Sequence, residues 1–433
     1  NEFRQKEFVE TDRTPQVLDQ NLKVEVVAEG LSLPTTMAFL GPNDILVLEK
    51  ENGTVRRIIN GVLQPEPILD VNVAGWNERC MCGIAVSNEN YSSNSSAGQT
   101  YVYLYYTESE SADSEDITAG KAPLGNHVYR YELADNRLIN PELILKLPAL
   151  PGPRHNGGAI MIGPDNNLYI PIGDVDGSFN EDKWETRAQN YVNATHPDGR
   201  GGILRITLDG EPVPGGSILG DEYPVNLYYA YGLRNSFGID FDPITGNLWD
   251  TENGPGHGDE INLVEPGFNS GWQEVQGFPS VVTEEEKEEG DLADKFDPTS
   301  LETFNGRGKY SDPEFSWVST VGPTAIKFFD SDKFGMQYYN GLFVADVRGV
   351  IYHFDLNDNR TRLLLEGPLA DMMADSGEDP ALEKVTFARD FGGITDLEVG
   401  PYDGYLYVVS IGQGKIFRIV PSTSSSSSSL SLS

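Results

Sequence analysis

Cationic residues are scarce in this chain. Its 433 residues include 31 Lys and Arg against 67 Asp and Glu, a formal charge of −36. A nucleic-acid groove and an anionic membrane surface both need clustered Lys and Arg, so both are excluded as partners. The acidity suits a solvated surface in a salty or calcium-bearing medium, or a field that selects cationic partners. No apolar run reaches the ~18 residues of a bilayer-spanning helix, so no membrane insertion is expected. Helical periodicity is also nearly missing. Only residues 281–294, with their Glu284–Glu289 acidic run, have a locally helical or disordered pattern. Cysteine is almost absent too: Cys80 and Cys82, separated by Met81, are the only two. On a regular strand such positions face the same way but stand too far apart for an easy bridge. Two buried thiols, a strained local disulfide, and a metal or redox role remain as readings.

What the chain has in quantity is short apolar strands punctuated by 46 glycines and 27 prolines. Six times an apolar strand, a turn and a second apolar strand recur. Clear copies are Met37–Leu40 with Asp44–Leu48, Ala159–Ile162 with Leu168–Ile172, and Thr395–Val399 with Tyr405–Val409. The others run Cys82–Val86 to Tyr101–Tyr105, Gly238–Phe241 to Leu248–Trp249, and Ala325–Phe328 to Leu342–Val344. The spacing, roughly 45 to 90 residues, suits one four-stranded blade plus loops. One blade cannot bury both faces, so the blades stack radially. The expected fold is all-β, a six-bladed β-propeller of four-stranded antiparallel blades. Leu22–Ala28 alternates as a strand and is expected to pair with Lys415–Val420 in the last blade, closing the ring and removing open sheet edges.

This gives an N-terminal arm over 1–21, the propeller over 22–421, and a Ser-rich tail over 422–433 whose composition joins no core. Long insertions at 87–99, 108–126, 173–200 and 276–317 are placed on the rims. The first residue is Asn1 rather than Met, as a removed export signal or a trimmed boundary would leave. Acceptor triplets at Asn52, Asn90, Asn94, Asn193 and Asn359 are compatible with glycosylation. The expected location is therefore extracellular, at the cell surface or periplasmic.

Three polar, glycine-rich segments border strands. In Arg154-His155-Asn156-Gly157-Gly158, His155 has a side chain poised near neutral pH, and Asp174, after the next two strands, could fix its tautomer as a general base. A turn role for His155 is the competing reading. In Tyr231–Gly238, Arg234 and Asn235 can present a guanidinium and an amide to an anionic or carbonyl-rich ligand, or Arg234 can simply pair with an acidic neighbour. The oxygen-rich stretch Thr251–Asn262 suits a hard cation such as Ca²⁺, although it lacks EF-hand spacing.

Together these segments resemble the glucose/sorbosone dehydrogenase family, soluble quinoprotein aldose dehydrogenases built on a six-bladed propeller. The matching stretches are Gly30–Pro34 with Leu46–Glu49, His155–Gly158, Leu168–Asp174, Gly201–Ile206, Tyr231–Asn235, Glu252–Pro255 through Asp259–Asn262, and Gly267–Trp272, in order over about residues 24–420. The resemblance implies oxidation of an aldose at its anomeric carbon, with hydride passing to pyrroloquinoline quinone (PQQ). It implies His155 as base, Asp174 as its orienting partner, and Arg234, Asn235 and Glu78 at the quinone. It also implies backbone carbonyls of Gly254 and Pro255 on a Ca²⁺ ion, with an external electron acceptor.

Departures from the family pattern bear on the cofactor. Where quinone-binding members carry a basic Arg-x-Arg-Asp clamp, this chain has Gly393-Ile394-Thr395-Asp396, and the lysine expected after the fifth blade is replaced in effect by Arg348. Where the family has Gly-Leu-Leu-Gly, this chain has Cys80-Met81-Cys82-Gly83. Each unpaired buried carboxylate of a tricarboxylate ligand would cost several kcal/mol. The alternative is therefore a noncatalytic member acting in glycan binding or a cell-surface assembly; the expected self-association is a homo-oligomer or a surface assembly. A calcium-dependent lactonase is a third reading, for which no convincing axial ligand set is found.

Overall fold

The computed structural model describes residues 14–87, 98–175, 185–194, 196–279 and 297–422. The helical or disordered pattern over 281–294, the triplets at Asn90 and Asn94, and the serine tail from 423 lie outside them. Among the described residues the architecture is all-β and propeller-like, with six separate sheets. Among those residues no helix is long and apolar enough to cross a membrane.

The sheets follow the chain, and each opens on the strand nearest the middle. These opening strands are Pro34–Gly41, Met81–Ser87, Met161–Ile162, Ser236–Phe241, Pro323–Phe329 and Ile394–Val399. Each touches the next sheet, and the last packs on the first. The strands behind them are covered on both faces and so carry unbroken apolar runs rather than alternation. Leu46, Val47 and Leu48 are fully buried, as are Leu168, Ile170 and Ile172. Between the fourth and fifth sheets Trp249 and Trp317 pack with Phe315, Tyr352 and Phe354. Removing each such ring from water contributes about 2–3 kcal/mol.

Leu22–Glu29 pairs antiparallel with Lys415–Pro421, the partner expected from the sequence. A bulge between Val26 and Ala28 turns Val26 outward while Leu22 and Ala28 stay buried. The end of the N-terminal arm is not free, because Gln16–Val17 adds a fifth strand to the fifth sheet beside Thr386–Arg389.

The expectation of four-stranded antiparallel blades throughout is corrected. Only the second and sixth sheets have four strands. The first sheet gains short antiparallel strands and the fifth gains Gln16–Val17, while in the third and fourth the chain returns along an outer edge and pairs there. Phe268–Asn269 runs parallel to Tyr228–Tyr231, Lys309–Tyr310 parallel to Phe268–Asn269, and Met373–Ala374 parallel to Phe315–Ser319. A chain that comes back from a long excursion can meet an edge in either direction, whereas a tight hairpin cannot.

Candidate active site

The residues at the starts of the opening strands, and the loops beside them, converge on one cavity of about 440 Å³. His155, Arg234, Asn235, Glu78, Lys50 and Gly254 all line it. Four opening strands deliver Thr35, Phe237, Thr324 and Thr395 to this mouth, and the loops leading into the other two deliver Cys80, Arg154 and His155. A larger cavity of about 690 Å³ lies near the far ends of the same strands. Its floor is self-paired, with Lys327 Nζ 2.9 Å from Glu398 and 3.4 Å from Asp240, and no imidazole lines it.

His155 is buried, and its backbone sits at φ +57°, a left-handed conformation that costs an L-residue roughly 1–3 kcal/mol. Neighbours hold it there. The His155 N–H donates to Glu78 Oε2 at 2.6 Å, and the Gly173 N–H donates to the His155 carbonyl at 3.1 Å. Gly157, two residues on, is at φ +88°, and a Cβ there would lie 2.5 Å from the Pro171 carbonyl oxygen. The His-Asn-Gly-Gly segment thus holds two left-handed residues, His155 and Gly157, and lines the cavity at His155.

Asp174 is placed by the adjoining strand, its N–H donating to the Arg234 carbonyl at 2.9 Å. Its Oδ1 stands 2.6 Å from His155 Nδ1. A carboxylate only accepts, so Nδ1 carries the proton and Nε2 is left as the basic nitrogen. Its Oδ2 accepts from Trp272 Nε1 at 2.9 Å.

The Arg234 N–H donates to Glu252 at 2.5 Å, and its Nη1 donates to the Asn253 carbonyl at 2.6 Å. Its guanidinium carbon lies 5.5 Å from the Trp272 ring centroid. No carboxylate takes up its head group in these contacts, so the pairing expected as an alternative is replaced by a backbone carbonyl and an aromatic face. Asn235 Nδ2 reaches Glu78 at 3.4 Å. Among the described residues, Oδ1 of Asn235 and Oδ1 of Asn77, both in cavity-lining side chains, are buried with no hydrogen-bond partner.

Two expectations are corrected. Arg348 does not reach this cavity, because its guanidinium is bound to the buried Asp346 carboxylate at 2.5 Å and to the Tyr352 hydroxyl at 2.6 Å. The turn that brings Arg348 back toward its own strand lets it satisfy that charge locally. The acidic side chains of the Thr251–Asn262 stretch also point away from the mouth. Asp259 accepts from the N–H groups of Gly254, Val321 and Gly322 at 2.8, 2.6 and 2.8 Å, and burial pushes its pKa up to about 6. Glu252 and Glu260 share Ser270 Oγ at 2.7 and 3.0 Å, and burial with mutual repulsion raises Glu252 further. Among the described residues no group of three His, Cys, Asp or Glu side chains could hold a metal. Gly254 lines the cavity, whereas Pro255 is exposed and does not.

Sequence reasoning missed Lys50, Arg154, Asn77 and Trp272. Lys50 directly follows a stretch that carried the family resemblance, and its Nζ donates to the carbonyls of Gly75 and Asn77 at 3.1 and 2.8 Å. Cys80 and Cys82 form a disulfide whose Cα atoms are 5.1 Å apart. A register shift between Met81 and Gly83 contracts the strand there, which a regular strand at about 6.6 Å per two residues would not allow.

The chain belongs to the glucose/sorbosone dehydrogenase family, whose pattern it matches over residues 31–418. It is 23% identical to the aldose sugar dehydrogenase YliI of Escherichia coli over 92% of this chain and 93% of that protein. It is 26% identical to quinoprotein glucose dehydrogenase B of Acinetobacter calcoaceticus over 63% of this chain and 57% of that one. The fold is similar to the PQQ-bound aldose sugar dehydrogenase of Streptomyces coelicolor, with a TM-score of 0.60 and 22% identity over 94% and 99% of the two chains.

Proposed function

We propose that this protein is a PQQ-dependent sugar dehydrogenase that oxidises an aldose at the anomeric carbon, its six sheets being the blades of one closed propeller. The observation that carries the reading is the His155–Asp174 pair at a cavity that Lys50, Arg154 and Arg234 also line. Three cationic side chains suit a tricarboxylate ligand, and the two orphaned amide oxygens of Asn77 and Asn235 suit its donors or a cation. The basic residues absent at 393–396 would thus be offset by cations from other loops of the mouth.

His155 Nε2 accepts the proton of the sugar's anomeric hydroxyl. Asp174 holds the tautomer and stabilises the imidazolium that results. Arg234 and Asn235, with Glu78 behind them, orient the bound groups. PQQ, when bound, supplies the acceptor for the hydride. A Ca²⁺ ion would be held by the Gly254 carbonyl, with Pro255 at the rim, and would polarise the cofactor as a Lewis acid. An external acceptor would take the electrons from the reduced cofactor. Export to the cell surface, the periplasm or beyond is supported by the disulfide and by the exposed acceptor residues Asn52, Asn193 and Asn359. The arm over 1–21 and the tail over 422–433 are proposed as flanks of the single catalytic domain.

The test is reduction of an artificial dye by aldoses in the presence of added PQQ and Ca²⁺. Activity above background in the wild type and its loss in His155→Ala support the reading, and background rates throughout refute it. One observation favours the second reading, a noncatalytic surface or glycan-binding protein: Thr395 lines the cavity where a basic clamp would stand. Assemblies or glycan binding in a protein that takes up no quinone would favour that alternative.

A further inference from the structure

The Asp174 carboxylate accepts from His155 Nδ1 on one oxygen at 2.6 Å and from Trp272 Nε1 on the other at 2.9 Å. The same indole lies against the Arg234 guanidinium, 5.5 Å from its ring centroid. We propose that Trp272 is the positioning residue that locks the base pair and the cofactor-side guanidinium into one unit. This rests on the reading of His155 as base.

The chemistry of the side chain fits both tasks. A terminal carboxylate torsion is broad and roughly two-fold, so each donor lost from the Asp174 carboxylate gives it more freedom to swing and carry His155 with it. A second, fixed donor on the other oxygen removes that freedom. An indole N–H donates and never accepts, so it cannot draw the Nδ1 proton away from the carboxylate. Its face meanwhile attracts a guanidinium. Trp272 is itself anchored at the backbone. Its N–H donates to the Gly232 carbonyl at 2.9 Å, and its carbonyl accepts from Asn190 Nδ2 at 2.7 Å. Asn190 and Asn269 bond each other twice, at 3.0 and 2.8 Å. Gly232 is at φ +70°, and a Cβ there would fall 2.0 Å from Asn269 Oδ1, so the backbone that accepts from the Trp272 N–H tolerates no side chain at that point.

Trp272→Phe separates the two tasks, since it keeps an aromatic face for Arg234 and deletes the donor to Asp174. Benzothienylalanine at the same position keeps the indole shape without the N–H, and serves if the Phe variant folds poorly. The His155 ring is followed by long-range ¹H–¹⁵N correlation in the quinone-free protein, alongside quinone titration and steady-state oxidation. Wild type should show a single tautomer protonated at Nδ1, and the donor-deleted variants a mixture or a broadened ring signal. Their kcat should fall about 10–100-fold, as for a misplaced general base, with KM and quinone affinity within about threefold. Trp272→Leu should in addition weaken quinone binding by about 3–30-fold through the lost cation–π contact. In an Asp174→Asn background Trp272→Phe should have little further effect on kcat, because both act through one carboxylate. An unchanged His155 ring signal in the donor-deleted variants overturns the proposal. Wild-type protein that takes up no quinone sinks the functional reading instead, and leaves the ring signal to decide the role of Trp272.

Discussion

His155 occupies a left-handed backbone conformation that only its surroundings make tenable, and those surroundings are the site itself. Glu78 holds its N–H, Gly173 its carbonyl and Asp174 its ring. Replacement by Ala should abolish sugar oxidation while leaving quinone affinity within about tenfold, since a base acts mainly on the chemical step; paired turnover and binding measurements check this. Arg348 gives the opposite expectation. Its removal strands the fully buried Asp346, so Arg348→Ala should lower stability by about 3 kcal/mol in a denaturant titration and leave quinone affinity unchanged. At this scale the sequence disclosed most of the constellation. His155, Asp174, Arg234, Asn235, Glu78 and Gly254 do come together, because each sits beside a strand whose place in the repeat could be counted. It could not disclose the partner of Arg348: with 67 carboxylates in the chain, nothing local says which one a guanidinium chooses. Lys50 and Trp272 stood in or beside quoted stretches, but nothing local says that a lysine at a strand end or an indole in a turn will face the cavity or meet Asp174.

The elements show where counting fails. The opening strands and their hairpins were legible from unbroken apolar runs, and Leu22–Glu29 from its alternation. The added edge strands were not, since two-residue pairings such as Phe268–Asn269 leave no periodicity to detect. The Cys80–Cys82 bridge depends on a bulge, which shifts register without changing composition. It closes a loop of three residues, so replacing both cysteines by Ser should reduce stability by only about 1–2 kcal/mol, measurable as a modest loss in denaturant midpoint. Removal of residues 1–29 should do far more. It uncovers the edge of Lys415–Pro421 and the core around buried Leu22. The truncated chain should show a lower Tm and concentration-dependent light scattering; a Tm equal to the full chain would refute the latch.

The whole molecule joins a charge of −36 to several carboxylates buried inside. Burial pushes Asp240 and Asp259 up to about 6, and Glu314 to about 7. Between an unfolded value near 4 and these raised values, the folded chain binds more protons than the unfolded one. Stability must then fall as pH rises through that window, by up to about 2–3 kcal/mol for each of the two aspartates. Lowering the pH from 8 to about 5.5 also relieves self-repulsion, so both effects have one sign. Scanning calorimetry should record a rising Tm over that range, and a falling Tm would contradict these environments.

One cavity gathers imidazole, guanidinium and ammonium groups, and its proposed ligand is an anionic quinone. Spectrophotometric titration of the protein with PQQ in the presence of Ca²⁺ measures this most directly. We expect saturable uptake near one quinone per chain, retained in His155→Ala, weakened at least about tenfold in Arg234→Ala, and reduced on chelation. Absence of any bound-quinone absorbance in the wild type, with Ca²⁺ present, would contradict it.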